Sequence, residues 1–532
     1  MPCAFFQERD DCYAFATRSL DLSAFKMRSG SSFVDYEPVT PSRRARKRET
    51  EETADFLLEP LASAKEEEVV VAQAERHEDT TPKSKSKKEA KPENWIFRRG
   101  HAISYAGLFL FTVVLYFRPY EIFTALNSVK SMAFWMGVFT LAAYLPSQLA
   151  AEGNLTARPR EVNLLLLFCV AALISIPPAI NPPEALATFV EFLRPVMIFI
   201  VMINVVRTEW RLKGIFFLTL TVSVVLSVGA IYDYRMARFS VEGYRVAGII
   251  GNLFGNPNDM ALHLVTVIPI SVALSFTTRN IVFKILYAVC ALLMIIGSML
   301  TFSRSGFLGL VAAGAVIAWK IGRRNRLAVI VLAVVGLATV IAFAPAGYTN
   351  RLDSIVNHDA DAFGSAGART NLLFRSIKVA IANPVFGVGM GNFHIVSIGE
   401  LVSHNAYTQV AAEMGMAAMV VYILFILSPF KGLRMIENET FEDRRASHFY
   451  YLAVGLQASL VAYMVSSFFA SVAYQWYVYY LVGYAVCLRR LYKAERKALE
   501  EREAKMKERE EVEAVKEPRP GLLEQETLQR PA

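Results

Sequence analysis

The chain has 532 residues, of which 54% are hydrophobic, 12% aromatic and only 20% charged, with a formal net charge of +8 and a mean hydropathy of +0.34. Such a composition excludes an ordinary soluble globule and makes lipid the expected solvent. Much of the charge lies in the first 95 and last 44 residues, and the rest falls largely in short basic loops between apolar runs, so the excess of Lys and Arg reads as the positive-inside tendency of membrane proteins rather than as a nucleic-acid surface.

Residues 1-95 lack the pattern of a signal peptide. A basic run from Arg43 to Arg48 precedes an acidic stretch and then a Lys/Ser-rich one, which predicts a disordered cytoplasmic extension with too little apolar surface to order itself.

From Trp95 onward the apolar runs predict about twelve spans, each near the roughly 20 residues that a hydrocarbon core of about 30 Å requires. They fall near 102-118, 130-147, 162-179, 187-206, 212-231, 259-277, 281-301, 305-320, 327-344, 406-428, 449-468 and 470-488. Arg98, Arg158, Arg207, Arg211, Arg279, Lys320, Arg323, Arg434, Arg489 and their neighbours then share one face. That face is expected to be cytoplasmic, with both termini inside.

The pair 281-301 and 305-320 is separated only by Phe302-Ser303-Arg304 and could equally form a re-entrant or tilted element; so could the turn near Ala470. Gly306, Gly309 and Gly314 read as positions of close helix approach. Residues 96-490 thus form a membrane domain, and 491-532 a charged, helical or disordered cytoplasmic tail with i,i+4 pairs such as Glu501 to Lys505.

Two segments on the expected extracytoplasmic side are unusual, one from about 232 to 259 and a long loop over 344-405. Loops of that length in a compact domain commonly carry function. Arg235, Arg238 and Arg245 lie in the first, Arg351, Arg369 and Arg375 in the second, and Arg304 sits at a span junction. A guanidinium presents a planar fork of donors that suits phosphate oxygens, and such contacts favour a diphosphate leaving group as it gains charge. The plainer alternative pairs these arginines with Asp233, Glu242, Asp353 or Asp361, or with lipid phosphates. His404 precedes a span in Ser403-His404-Asn405, and its imidazole is suited to proton transfer near neutral pH or, more plainly, to hydrogen bonding.

Other chemistry has little support. The run Gly387-Val388-Gly389-Met390-Gly391 lacks the strand-turn-helix setting of a nucleotide site, no P-loop occurs, and no carboxylate cluster suits a divalent metal. Cys3, Cys12, Cys169, Cys290 and Cys487 show no CxxC spacing.

Four stretches in order carry a family resemblance: Tyr244-Arg245-Val246-Ala247-Gly248 with Gly255-Asn256-Pro257-Asn258; Phe302-Ser303-Arg304-Ser305-Gly306; Arg369 through Asn383-Pro384-Val385-Phe386-Gly387-Val388-Gly389; and Ser403-His404-Asn405 with Glu413-Met414-Gly415. Their order resembles the O-antigen ligase-like superfamily, which includes lipopolysaccharide O-antigen ligases, polysaccharide polymerases and protein O-oligosaccharyltransferases. The resemblance implies an all-α polytopic fold, a GT-C-like helical bundle in the bacterial inner membrane. It also implies a polyprenyl-diphosphate-linked glycan donor and a lipid- or glycan-linked acceptor. Within it Arg245 and Arg369 would bind the diphosphate, with Arg304 and Arg375 as secondary candidates, and His404 would act as base toward the acceptor hydroxyl or orient it. No metal or cofactor is implied. A transporter or flippase of the same lipid-linked glycan is the competing expectation, but it would call for more ionisable residues within the spans than Glu191 and Arg194.

Overall fold

The computed structural model describes residues 95–118, 132–239, 244–324, 365–444 and 447–516, with part of 326–353. The expected N-terminal extension, most of the span at 327-344 and most of residues 344–364 of the long loop lie outside the described residues, among them Arg351, His358 and Asp361. Among those described, regular structure is helical: α1 (Trp95–Phe117), α2 (Met132–Glu152), α3 (Arg160–Ile174), α4 (Pro182–Val205), α5 (Glu209–Arg235), α6 (Pro257–Thr277), α7 (Ile281–Leu300), α8 (Arg304–Ile321), α9 (Ser365–Ala382), α10 (Ala406–Met414), α11 (Met416–Glu439), α12 (His448–Ser466) and α13 (Trp476–Lys516).

Local chemistry starts these helices where it should. The side chains of Asn181, Thr208, Asn256, Asn280, Ser303 and Asn405 each accept a backbone N–H of the following first turn, and Pro182 and Pro257 stand where a missing N–H costs nothing. Seven helical segments of the described chain are long and apolar enough to cross a membrane: α4, α5, α6, α7, α8, α11 and α12, the last extended to Phe469. The chain is therefore a multi-pass membrane protein. The Phe302 junction separates two such helices, α7 and α8.

Several span boundaries differ from expectation: α3 ends at Ile174 rather than 179, and α4 starts at Pro182 rather than 187. The segment at 406-428 is broken at Gly415 into α10 and α11. The break is steric: Gly415 has φ +90°, and a Cβ there would come within 2.2 Å of the Val385 carbonyl oxygen. The last long helix begins at Trp476 rather than 470, because Ser467–Phe469 tightens into a 3₁₀ turn and the chain then runs as a loop.

The centre is packed by α6, α12 and α13. Tyr116, Tyr480, His263 and Trp476 form a buried aromatic group, with Tyr116 and Trp476 edge to face at 4.7 Å. Hydroxyls in the apolar interior find partners across helices, as in Thr219 with Tyr484 at 2.9 Å and Tyr422 with Tyr463 at 2.7 Å. Gly306 and Gly309 of α8 are packing positions, where a Cβ would meet Ala261 at 2.7 Å and Ser466 Oγ at 2.1 Å. Gly314 is not: a Cβ there would meet nothing within 4 Å, because α8 has turned that position away from its neighbours.

Many of the residues expected to share one face gather at one end of the bundle. Arg489 holds the fully buried Glu161 through two bonds of 2.7 and 2.8 Å, and Arg207 pairs with Glu152. His448 lies 3.4 Å from Glu209, Tyr450 donates to the Lys320 carbonyl at 3.0 Å, and Lys320 pairs with the buried Glu437. The ends of α8 and α11 and the starts of α5 and α12 are thereby joined, which places Arg304, at the start of α8, toward the other end.

Candidate functional site

The two arginine segments and the histidine converge on the end of the bundle where α8 starts and α12 stops. Arg245 follows α5 in irregular chain that pairs with the end of α7, Val246 N–H donating to the Leu300 carbonyl at 3.4 Å. Only 3% exposed, Arg245 donates from Nε to the Thr301 carbonyl and from Nη2 to Asn258 Oδ1, both at 2.9 Å. The same Asn258 oxygen accepts from Ser303 Oγ at 2.9 Å, and Ser303 also caps α8. One amide therefore ties the Arg245 segment to the turn that presents Arg304, the half-buried first residue of α8.

That turn is held from the long-loop side as well. Phe302 has φ +50°, which puts its ring edge to face with Tyr244 at 5.2 Å and 5.6 Å from that of Tyr348. Tyr348, buried at 2% exposure, is thus a point where the beginning of the 344-405 segment packs on the Arg304 turn.

The histidine lies on the other side of the α12 terminus. Ser466 Oγ donates to the Ser305 carbonyl at 3.1 Å, and the next residue, Ser467, donates to Tyr407 Oη at 3.3 Å. Two residues before α10, His404 takes φ +52°, and its N–H donates to Ser471 Oγ at 2.8 Å. Asn405 then caps α10 by accepting from Tyr407 and Thr408 N–H at 2.9 and 3.0 Å, so the backbone on both sides of the imidazole is fixed. Burial first, and the positive charge of Arg369 second, hold His404 below the ordinary imidazole range. Both favour the neutral ring.

Arg369 is on α9, which Ser376 Oγ ties to α10 through a 2.8 Å bond to Thr408 Oγ1. Arg375 lies on the same helix but is exposed, and its Nε donates to the Val396 carbonyl at 2.7 Å. The structure thus brings Arg245 to the Arg304 turn on one side of the α12 end, and on the other ties the Arg369 helix to α10 through Ser376 and Thr408, with Arg369 in electrostatic reach of His404. Arg375 goes instead to the carbonyl that ends the short helical turn Phe393–Val396. Of the other arginines in the first segment, Arg238 stacks its guanidinium 5.4 Å from the Tyr232 ring centre.

Sequence reasoning singled out no role for Asn258, Glu413 or Ser471, although the first two lie in the quoted motifs. The buried Glu413 carboxylate accepts from Gly391 N–H at 3.0 Å and from Tyr474 Oη at 2.6 Å, while its carbonyl accepts from Gly389 N–H at 2.9 Å. The glycine run at 387-391 therefore wraps the Glu413 end of α10. Among the described residues no group of three or more His, Cys, Asp or Glu could hold a metal ion.

Comparison with known proteins adds one result: residues 289–423 match the family model described as O-Antigen ligase. The matched stretch contains Arg304, Arg369, Arg375, His404 and Glu413, and Arg245 precedes it. No curated protein matches the chain.

Proposed function

We propose, for a membrane protein whose residues 289–423 belong to the O-antigen ligase-like superfamily, that it moves a glycan from a polyprenyl diphosphate carrier to an acceptor hydroxyl at the end of the bundle holding His404. In this reading the acceptor oxygen bonds to the anomeric carbon of the donor sugar as the bond from that carbon to the carrier phosphate oxygen breaks. The electron pair leaves with the polyprenyl diphosphate, and the acceptor proton passes to the His404 imidazole.

The observation that carries it is a half-buried imidazole, its backbone fixed by Ser471 and the Asn405 cap, lying within electrostatic reach of Arg369 inside the matched region. A ring kept neutral can accept a proton, and an adjacent guanidinium favours the charge that develops on a departing diphosphate. Arg304 and the buried Arg245 add cationic charge on the opposite side of the α12 end, and Arg375 extends the basic surface of α9. Arginine rather than a metal is proposed to meet the diphosphate.

The proposed setting is the bacterial inner membrane, with the Arg489, Arg207 and Lys320 end cytoplasmic, both termini inside and the His404 end outside. That orientation rests on the positive-inside tendency. The remaining helices are proposed to complete a bundle of about twelve spans, each of a length suited to the bilayer, with Arg369, Arg375 and His404 of the site contributed by the segment 344-405. The acceptor is proposed to be lipid- or glycan-linked, as for a ligase or polymerase.

Transfer from a purified polyprenyl-diphosphate glycan to candidate acceptors, in the presence of a chelator, tests the reading. Wild type should transfer, whereas His404→Ala and Arg369→Ala should each lose roughly a hundredfold or more, the scale of a proton-transfer or charge-stabilising group. Full transfer by both variants, with the protein normally folded, would remove the site assignment.

A further inference from the structure

At the Lys320 end of α8, about 24 Å along the helix from Arg304 at about 1.5 Å per residue, a second concavity opens between α8, α11 and α12. It has two adjoining parts. An apolar crevice of about 430 Å³ is lined by Ala315, Val316, Trp319, Phe430 and Val461, together with polar residues. A polar pocket of about 330 Å³ is lined by Lys320, Arg323, Arg434, Glu437 and Asn438, with Trp319 between them. Trp319, Lys320 and Arg434 belong to both.

Three cations here face one carboxylate. Lys320 pairs with Glu437, and Arg323 approaches the same carboxylate at 3.6 Å. Arg434 is exposed and lines both parts of the concavity. The Arg326 guanidinium lies 4.8 Å from the Trp319 ring centre, adding a further positive charge beside it.

The apolar part holds a buried polar atom without a partner. Gln457, 1% exposed, donates from Nε2 to Glu437 Oε2 at 3.0 Å and to the Ala453 carbonyl at 3.2 Å. Those two acceptors fix the orientation of the amide, since a flipped amide would set oxygen against oxygen. Among the described residues its Oε1 has no hydrogen-bond partner, and Gln457 lines the crevice. An acceptor in that state calls for a donor such as a hydroxyl.

We propose that this concavity binds one anionic glycerophospholipid with a hydroxylated headgroup, of the phosphatidylglycerol type. An acyl chain lies along the apolar crevice, the phosphate meets Arg434 and Arg323, and a headgroup hydroxyl donates to Gln457 Oε1. Charge decides for an anionic lipid over a zwitterionic one, because the excess cations would repel a headgroup amine. Depth decides for a lipid over a free anion: α8, α11 and α12 are spans, and Trp319, 62% exposed, has the character of an interfacial tryptophan at their margin. The site lies at the far end of α8 from Arg304 and does not rest on the proposed transfer.

The full chain in non-ionic detergent can be titrated with phosphatidylglycerol brominated on its acyl chains, reading tryptophan quenching, beside brominated phosphatidylcholine and unlabelled inorganic phosphate. Phosphatidylglycerol should quench saturably, and Trp319→Phe should remove most of the saturable part. Arg434→Ala, at an exposed position, should weaken the apparent affinity roughly fivefold, as expected for one cation near anionic lipid, and Arg434→Lys should restore it. Equal quenching by phosphatidylcholine, competition by millimolar phosphate, or saturable quenching unchanged in both Trp319→Phe and Arg434→Ala would overturn the proposal.

Discussion

Arg245 and Asn258 are joined side chain to side chain, Nη2 to Oδ1 at 2.9 Å, across the segment that leads into α6. Asn258 also receives Ser303 Oγ, so it sets the guanidinium relative to the turn carrying Arg304. Asn258→Ala should lower kcat/KM for the lipid-linked donor by about 10- to 100-fold, the equivalent of one hydrogen bond to a charged group. Steady-state kinetics with varied donor check this, and a change within twofold would show that Arg245 is placed without Asn258.

The His404 environment gives a pH dependence with a definite sign. Burial and Arg369 both lower its pKa, so the neutral ring persists to lower pH than an ordinary imidazole. If the neutral ring accepts the proton, kcat/KM should rise with pH through a midpoint below about 6.5 and be flat above it. Arg369→Gln removes the smaller of the two causes, so the midpoint should move upward while the maximal rate falls. An acid limb absent in wild type, or unmoved in the variant, would leave His404 without a proton-accepting role.

Glu413 is expected to matter for folding of the site rather than for proton transfer. Glu413→Ala removes the acceptor of the part-buried Gly391 N–H and Tyr474 hydroxyl, at up to about 1–3 kcal/mol for each group left unsatisfied. Tyr474→Phe removes one bond and leaves the Gly391 contact, so its cost should be smaller. Thermal unfolding in detergent should rank the melting temperatures as wild type, then Tyr474→Phe, then Glu413→Ala.

Two glycine-to-alanine changes should separate packing from mere presence of glycine. At Gly389, φ is +102° and a Cβ would lie 2.3 Å from Ala179 Cβ, so Gly389→Ala should sharply reduce folded yield. At Gly314 a Cβ meets nothing within 4 Å and the residue is in mid-helix, so Gly314→Ala should be neutral or stabilising by up to about 1 kcal/mol. Size-exclusion profiles of the two purified variants make the comparison, and equal yields would contradict it.

What could be read from the chain was what is local: the set of apolar runs, which are spans because lipid thickness sets their length. The caps at Asn181, Asn256 and Ser303 are equally local but are not among the sequence expectations, and the first of them starts α4 at Pro182, five residues before 187. The motif pieces containing Arg304, Arg369 and His404 were recognisable for the same reason: each is a short contiguous string inside the matched region.

The roles within those strings were not local. Gly415 ends α10 because the Val385 carbonyl, some thirty residues earlier by number, lies against it. Arg375 shares a helix with Arg369, and spacing alone could not send it to Val396.

By itself, then, the sequence determined a multi-span helical membrane domain and a short set of cationic and imidazole candidates, because backbone hydrogen bonds and burial in lipid are satisfied segment by segment. Tertiary structure decided which candidates meet: Arg245 with Thr301, His404 with Ser471, Glu413 with Tyr474 and Lys320 with Glu437. Polar side chains in an apolar interior take whatever partner the packing of distant helices brings within reach, and no periodicity along the chain encodes that distance.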